Sequence, residues 1–400
     1  MSKQTKYMEN DLLAARMADI APFHVMKILA RARKLEAEGK NIVHMEVGEP
    51  DFSTPDVITQ AGIDALRNGK TRYTPATGLP ILKEKIAEHY QQRFGVNLNP
   101  ERVIVTPGSS GALQLLMSLL INPGEQVLMT DPGYPCNRHF VRLVEGEALS
   151  IPVNQDSAYQ LNLELVKSHW NQQSRAVLLA SPANPTGTTL PSEEVQRLTA
   201  FLAENNGYLI MDEIYQGICF DQQACTALQN DVDNLFVVNS FSKYFAMTGW
   251  RLGWLVVPEA FIDAADRYAQ NVFLAAQTMA QIAALKAFDP EILDELDQRT
   301  AEFKKRRDFL IPELQKLGFQ LHHKPEGAFY LYVDCSAVTD DSFQFCIDLL
   351  EQAGVAITPG VDFGHHNAEK YVRFAYTTDI ETLGEGIRRI ADFLASRASR

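Results

Sequence analysis

The chain lacks several things, and each absence removes a class of protein. No apolar run reaches the roughly eighteen residues a membrane-spanning helix requires. The opening residues, MSKQTKYMENDLL, contain no apolar segment of the kind a secretory leader needs. Cysteine is scarce. Five residues, at 136, 219, 225, 335 and 346, are odd in number and not in metal-ligand spacing, which argues against a disulfide framework or a zinc site and for reduced thiols in a cytoplasmic protein. Basic residues are outnumbered: 37 Lys and Arg against 50 Asp and Glu leave a net charge of −13, and no basic block stands out. Nucleic acid is therefore not an expected partner, and any anionic ligand must be held by local donors against the overall field. Internal repeats, low-complexity tracts and Gly/Ser linkers are also missing.

What is present reads as a soluble α/β protein. With 400 residues the chain exceeds one compact core, and two domains are expected. Residues 1–20 form a polar arm that leads into an amphipathic helix, PFHVMKILARARKLEAEG, closed by Gly39. Short apolar runs then alternate with helical segments: VHMEV, RVIVT, QVLMT, AVLLAS, YLIMD, LFVVNS and LGWLVV. One of the helices, STPDVITQAGIDALRNG, offers Ser53 or Thr54 as its cap, Pro55 in its first turn and Gly69 at its end. Strands apolar throughout and separated by helices predict a mostly parallel sheet covered on both faces, a three-layer α/β/α body. After about residue 289 the texture changes to a long charged helix followed by FQLHH, FYLYVD, GVAIT and YVRFAYT, a smaller α/β unit. The predicted division is a large domain over 50–289 and a second body made of 1–49 and 290–400.

Polar residues cluster directly after the apolar runs. Asp212 ends YLIMD, Ser181 and Asn184 follow AVLLA, Ser240 to Lys243 follow LFVVN, and Asp131 to Tyr134 follow QVLM. Right-handed crossovers gather all of these at the carboxyl edge of a parallel sheet, where open α/β sheets bind ligands. Gly108, Ser109 and Ser110 open a helix directly after a strand, which suits a phosphate, although Ser and Gly at a helix start are commonly plain caps. Arg251, Ser240 and Ser242 are candidate further donors to the same anion. Asp212, at the mouth of a buried strand, needs a cationic partner, either a structural one or a protonated ring nitrogen of a ligand. Lys243, between small residues in SFSKYFAMTGWR, does not read as an ordinary solvated lysine.

Six motifs in order, FSKYFAMTGWRLGW, SPANPTG, MDEIY, RYTPATGLPILKEKI, DPGYP and YVRFAYTT, resemble the aminotransferase class I/II family of fold-type I pyridoxal-phosphate enzymes. The resemblance implies a site residue by residue. Lys243 matches the lysine that forms a Schiff base with the aldehyde of pyridoxal 5'-phosphate and then moves the proton at Cα. Arg251, Ser240, Ser242 and the Gly108–Ser110 turn match the phosphate ligands, and Asp212 matches the partner of the pyridine nitrogen. Asn184 and Tyr215 would bond the phenolic oxygen, and Tyr134 would stack on the ring. Arg373 matches the fork that grips the substrate carboxylate, and Gly48 would let backbone approach the substrate. Tyr73 matches a residue that reaches the neighbouring subunit's phosphate, which implies a homodimer with shared sites.

The implied activity is transfer of an amino group between an amino acid and a 2-oxo acid. The same apparatus also serves β-lyases, and a regulator with an aminotransferase-like domain would need a DNA-binding module for which the first residues leave no room. Aspartate-preferring relatives carry a lysine where this chain has Ser110, so an uncharged side chain is expected in at least one half-reaction. The arm helix adds Phe23, Val25, Met26 and Ile28, an apolar set, together with His24, Lys27 and Arg31. The pairs His322–His323 and His365–His366 are not in metal spacing, Lys304 to Arg307 read as a solvated helix face, and Phe329 as a core aromatic.

Overall fold

Strand by strand, the apolar runs divide their residues between two covered faces. In the computed structural model, which describes residues 13–221, 225–230 and 232–398, the chain forms β1 (Val43–His44), β2 (Val103–Thr106), β3 (Gln126–Asp131), β4 (Glu147–Pro152), β5 (Ser174–Ala180), β6 (Tyr208–Asp212), β7 (Leu235–Ser240) and β8 (Gly253–Val256). Strands β2 to β8 make one sheet in the order β2-β8-β7-β6-β5-β3-β4. Along β2, Val103 and Val105 enter one apolar core while Ile104 enters the other; along β7, Val237 and Val238 divide in the same way. Period-two alternation with both faces apolar is what helices packed on both sides require.

The sheet is mostly parallel, as expected, with one reversal. β8 runs antiparallel to both β2 and β7. The 241–252 connection contains no crossover helix, and a strand that returns without one must reverse direction. Gly253 therefore starts beside Ser240 and Thr106, at the carboxyl edge of its neighbours. The edge strand β4, in EALSIP, was not among the expected strands, because only Ile151 of it is buried.

A second group of strands follows the 27-residue helix Pro290–Lys316. β9 (Tyr330–Asp334), β10 (Val355–Ala356), β11 (Thr358–Pro359) and β12 (Tyr371–Ala375) complete the chain. β11, β12 and β9 form an antiparallel sheet, and β10 pairs with β1. VHMEV thus contributes only two strand residues, and FQLHH contributes a single bridge from Gln320 to Asp334. The final helix spans Ile380–Ala398.

The arm helix covers His24–Ala37 and buries Ile28, Ala32 and Leu35. Of the polar arm before it, residues 1–12 lie outside the described residues; Arg16 and Asp19 pair with Glu145 (3.0 Å) and Arg142 (2.7 Å) beside the helix Cys136–Leu143. Two local expectations are corrected. Neither Ser53 nor Thr54 caps the helix Asp56–Arg67, whose flanking residue is Pro55. The Thr54 hydroxyl instead donates to the Ala246 carbonyl (2.7 Å) and accepts from Trp250 Nε1 (3.0 Å), a tertiary use that outcompetes the cap. Of Lys304 to Arg307 only the two lysines reach solvent, since Arg306 and Arg307 are buried. Arg307 donates to the Pro325 carbonyl and to Asp221, both at 2.7 Å, and Arg306 to Asp51 at 2.8 Å over the Phe52 ring. Paired and stacked on aromatics, a guanidinium can leave water.

Candidate active site

The carboxyl edge of the large sheet opens into one cavity of about 380 Å³. The end of β6 supplies Asp212 and the chain after it Tyr215, the segment after β5 supplies Asn184, and the loop after β3 supplies Tyr134. Ser109 and Ser110 come from the helix Gly108–Leu120 behind β2, and Ser242, Lys243 and Arg251 from the β7–β8 connection. From outside the large sheet come Gly48 and Arg373, the latter from β12.

One end of the cavity is built for an anion. The helix Gly108–Leu120 starts with no side-chain cap, so its first N–H groups have no side-chain acceptor from a capping residue. Gly108 has φ +71°, and a Cβ there would lie 2.7 Å from Arg251 Nη2. Arg251, itself at φ +52°, donates to the Thr248 carbonyl (3.1 Å) and has no carboxylate partner among the described residues. A guanidinium against the positive end of a helix is unfavourable alone and favourable when an anion lies between them. Ser240 stands one layer back: it is buried, its Oγ 2.8 Å from Ser242 Oγ and 3.0 Å from the Leu252 carbonyl.

At the floor of the cavity sit Lys243 and Asp212. The Lys243 amine donates to the Gly48 carbonyl and lies 5.9 Å from the ring centres of both Tyr215 and Phe329. Enclosure lowers its pKa to about 8; Glu49 opposes this, and the charges of Arg373 and Arg251 add to it. Asp212, 5% exposed, is pushed up to about 6 by burial, against the Ile214 N–H (3.1 Å) and the Lys243 charge. A buried carboxylate with a single backbone donor is an acceptor held ready for a cation.

Arg373 is buried. Its Nη1 donates to Asn184 Oδ1 (2.9 Å), its Nη2 to the Glu46 carbonyl (2.6 Å), and its plane lies 4.2 Å from the Tyr330 ring centre. The Nε has no partner, an orphaned donor on the side chain that lines the cavity. Tyr215 and Tyr330 share a hydrogen bond of 2.8 Å, and burial raises both phenols, so each remains protonated near neutrality. Gly48 packs so closely that a Cβ would lie 2.0 Å from the Tyr330 oxygen.

Nothing in the sequence singles out Tyr330, whose neighbour Phe329 is the core aromatic expected. Phe329 is fully buried, and the adjacent residue on the strand faces the cavity, as alternation requires. Glu49, Thr248, Leu113 and Ile214 also line the cavity; Thr248 and Ile214 lie within the motifs FSKYFAMTGWRLGW and MDEIY, but the sequence assigns none of the four a role. Phe23, Val25 and Met26 of the arm reach it; His24 packs on Phe343 and Arg31 pairs with Glu351 at 2.8 Å, so neither adds a charge to it. Tyr73 stands apart on the surface, 84% exposed. No group of described residues has the makings of a metal site, and no described helix is long and apolar enough to cross a membrane.

Residues 40–390 match the family "Aminotransferase class I and II". A (5-formylfuran-3-yl)methyl phosphate transaminase of Methanocaldococcus jannaschii is 36% identical over 96% of this chain and 100% of its own. A valine–pyruvate aminotransferase of Mycobacterium tuberculosis is 36% identical over 97% of this chain and all of its own. The crystal structure of an aminotransferase from Mycobacterium tuberculosis superposes with a TM-score of 0.92 at 36% identity, covering 96% of this chain and 99% of that one. Enzymes of this family and fold use pyridoxal phosphate. The chain belongs to the class I and II aminotransferase family and is an aminotransferase, moving an amino group between an amino acid and a 2-oxo acid.

Proposed function

We propose that this chain works with pyridoxal 5'-phosphate and that, in at least one half-reaction, its amino acid has an uncharged side chain. The observation that carries the reading is convergence: an amine, a buried carboxylate, an anion cradle and a guanidinium fork all line one cavity. The residues fit the cofactor. The unpaired Arg251 over the Gly108–Leu120 helix start suits its phosphate, and singly bonded Asp212 suits its protonated ring nitrogen. Asn184, Tyr215 and Tyr134 are in reach of the same space, with Ser109, Ser110 and Ser242 around the anion end.

When bound, pyridoxal phosphate supplies an aldehyde that captures amines and a protonated ring that draws electrons from Cα. The protein does the rest. Lys243, with its pKa near 8, keeps a useful share of free amine at neutral pH, so its Nζ can take the Cα proton and give it back. Arg373, whose side chain lines the cavity, holds the substrate carboxylate with its guanidinium. The charged Asp212 stabilises positive charge on the ring. Phe23, Val25 and Met26 shield the exchange from water.

Side-chain preference follows from charge. Lys243, Arg251 and Arg373 are the cations lining the cavity, each with a task, and Glu49 adds a negative charge. A second substrate carboxylate would lie there unpaired, at a cost of several kcal/mol by general estimate, roughly 3–5. The valine–pyruvate relative is named for such a substrate, whereas other relatives are named for aspartate. Exposed Leu66, Tyr73 and Leu274 occupy neighbouring segments, with Thr278 donating to the Arg72 carbonyl, and support a homodimer in which Tyr73 serves the partner's site. We also divide the chain into a body of 50–289 and a second of 1–49 with 290–400, and assign it to the cytoplasm.

The test is single-turnover conversion of the loaded enzyme with alanine, leucine, methionine, phenylalanine, aspartate and glutamate, scoring 2-oxo acid against ammonia. Neutral amino acids should lead and yield 2-oxo acid. Ammonia released in step with the 2-oxo acid would make the protein a lyase, and an aspartate or glutamate rate more than about tenfold above every neutral one would mean a cation has been missed.

A further inference from the structure

The arm helix His24–Ala37 begins without a cap of its own. Phe23 precedes it, no acidic residue lies in its first turn, and no side chain of the flanking residue bonds to it. The cap comes from more than three hundred residues away: Asp362 Oδ1 accepts from His24 N and Oδ2 from Val25 N, both at 2.7 Å. Asp362 is itself buried, in the turn Gly360–Asp362. The next residue packs behind the active site, with the buried Phe363 ring 4.7 Å from the Arg373 guanidinium and the Phe363 carbonyl accepting from Gly133 N (2.8 Å), beside Tyr134. Two charge-assisted bonds to the positive end of a helix make a strong, directional fixture. The residues fixed by it are Phe23, Val25 and Met26, the apolar wall of the cavity.

We propose that Asp362 is a positioning residue for side-chain recognition: by holding the first turn of the arm helix, it sets the apolar wall against which the substrate side chain packs. This rests on the aminotransferase reading above and deepens it. A long apolar side chain reaches that wall and the methyl of alanine does not, so the effect of losing the fixture depends on substrate length.

Two variants test this from opposite sides. Asp362→Ala removes the acceptor. His24→Pro removes one donor while leaving Asp362 in place, since a proline's fixed φ is tolerated at the first helical position. In Asp362→Ala amide exchange at residue 25 should quicken, and in both variants kcat/KM for leucine and methionine should fall about tenfold, the size of effect a lost cap produces, with alanine within about threefold. Uptake of pyridoxal phosphate should stay within about twofold. The leucine-to-alanine ratio is independent of how much protein is active, so partial misfolding does not mimic the result. An equal loss for all three amino acids, an unmoved ratio, or unchanged exchange in Asp362→Ala overturns the role of Asp362. A parent protein that converts no amino acid overturns the proposed function instead, a separate result.

Discussion

At the residue scale the site holds two groups whose pKa values are displaced toward neutrality, and each displacement has a consequence. Asp212 is raised from 3.8 to about 6 by burial. A raised folded-state value favours folding with the group protonated. That contribution is full below pH 3.8 and gone once the pH passes about 6, so at pH 7 the charged carboxylate costs the cofactor-free fold up to roughly 3 kcal/mol, at about 1.4 per unit. Asp212→Asn should therefore raise the melting temperature of cofactor-free protein at pH 7.5 and bring no gain at pH 4, while lowering turnover by on the order of 10³-fold. A variant within tenfold of the parent would mean that another group holds the ring nitrogen. Lys243 is displaced the other way, lowered to about 8 by burial, so its neutral form grows as pH rises through that value. The rate at which cofactor-free protein takes up pyridoxal phosphate into a linkage that borohydride fixes at Lys243 should climb with pH and level above about 8. A flat profile, or fixation at another lysine, would contradict the assignment.

At the scale of elements, the anion cradle depends on a contact between two backbones. A Cβ on Gly253, at the start of β8, would lie 2.8 Å from both Gly108 C and Ser109 N and 2.9 Å from the Asn239 carbonyl. None of those atoms can give way without moving a strand or the helix start. Gly253→Ala should weaken cofactor phosphate binding at least about tenfold, read as the pyridoxal phosphate concentration for half-maximal loading, whereas Gly249→Ala, with no atom within 4 Å of its Cβ, should not. Equal behaviour of the two variants would show that the helix start tolerates displacement. The same contact explains why the reversed strand matters: a parallel β8 would begin at the far edge of the sheet and leave the helix start unsupported.

At the scale of the molecule, the exposed Tyr73 separates a monomeric site from a shared one. A mixture of Lys243→Ala and Tyr73→Ala proteins, refolded together and assayed at limiting cofactor, should regain activity. In a mixed dimer one site then has both an intact lysine and the partner's intact tyrosine, so up to a quarter or so of parental activity is expected. Heterodimers that form yet stay inactive would remove Tyr73 from the partner's site. Mixed dimers should also lose activity on dilution together with dissociation, which sedimentation measures directly.

Much of this was legible in the chain itself, because it depends on local periodicity. The VIV of RVIVT and the LFVV of LFVVN are apolar at consecutive positions, and period-two alternation then requires two covered faces and a mostly parallel sheet. The residues that follow those strands were bound to meet at one edge, and Lys243, Asp212, Asn184, Tyr134 and the Gly108–Ser110 turn do meet there or directly beside it. Contacts between distant segments left no such trace. Nothing local distinguishes Tyr330 from Phe329, marks Arg306 and Arg307 as buried, or says that Thr54 will bond Ala246 instead of capping its own helix. Asp362 looks like any acidic residue in a turn until the fold brings a helix with two free N–H groups against it. Periodicity is a property of neighbours along the chain, and so the sequence determined the layers and the edge where chemistry gathers. Partners for buried charges are chosen by proximity in space, and that only the tertiary structure decided.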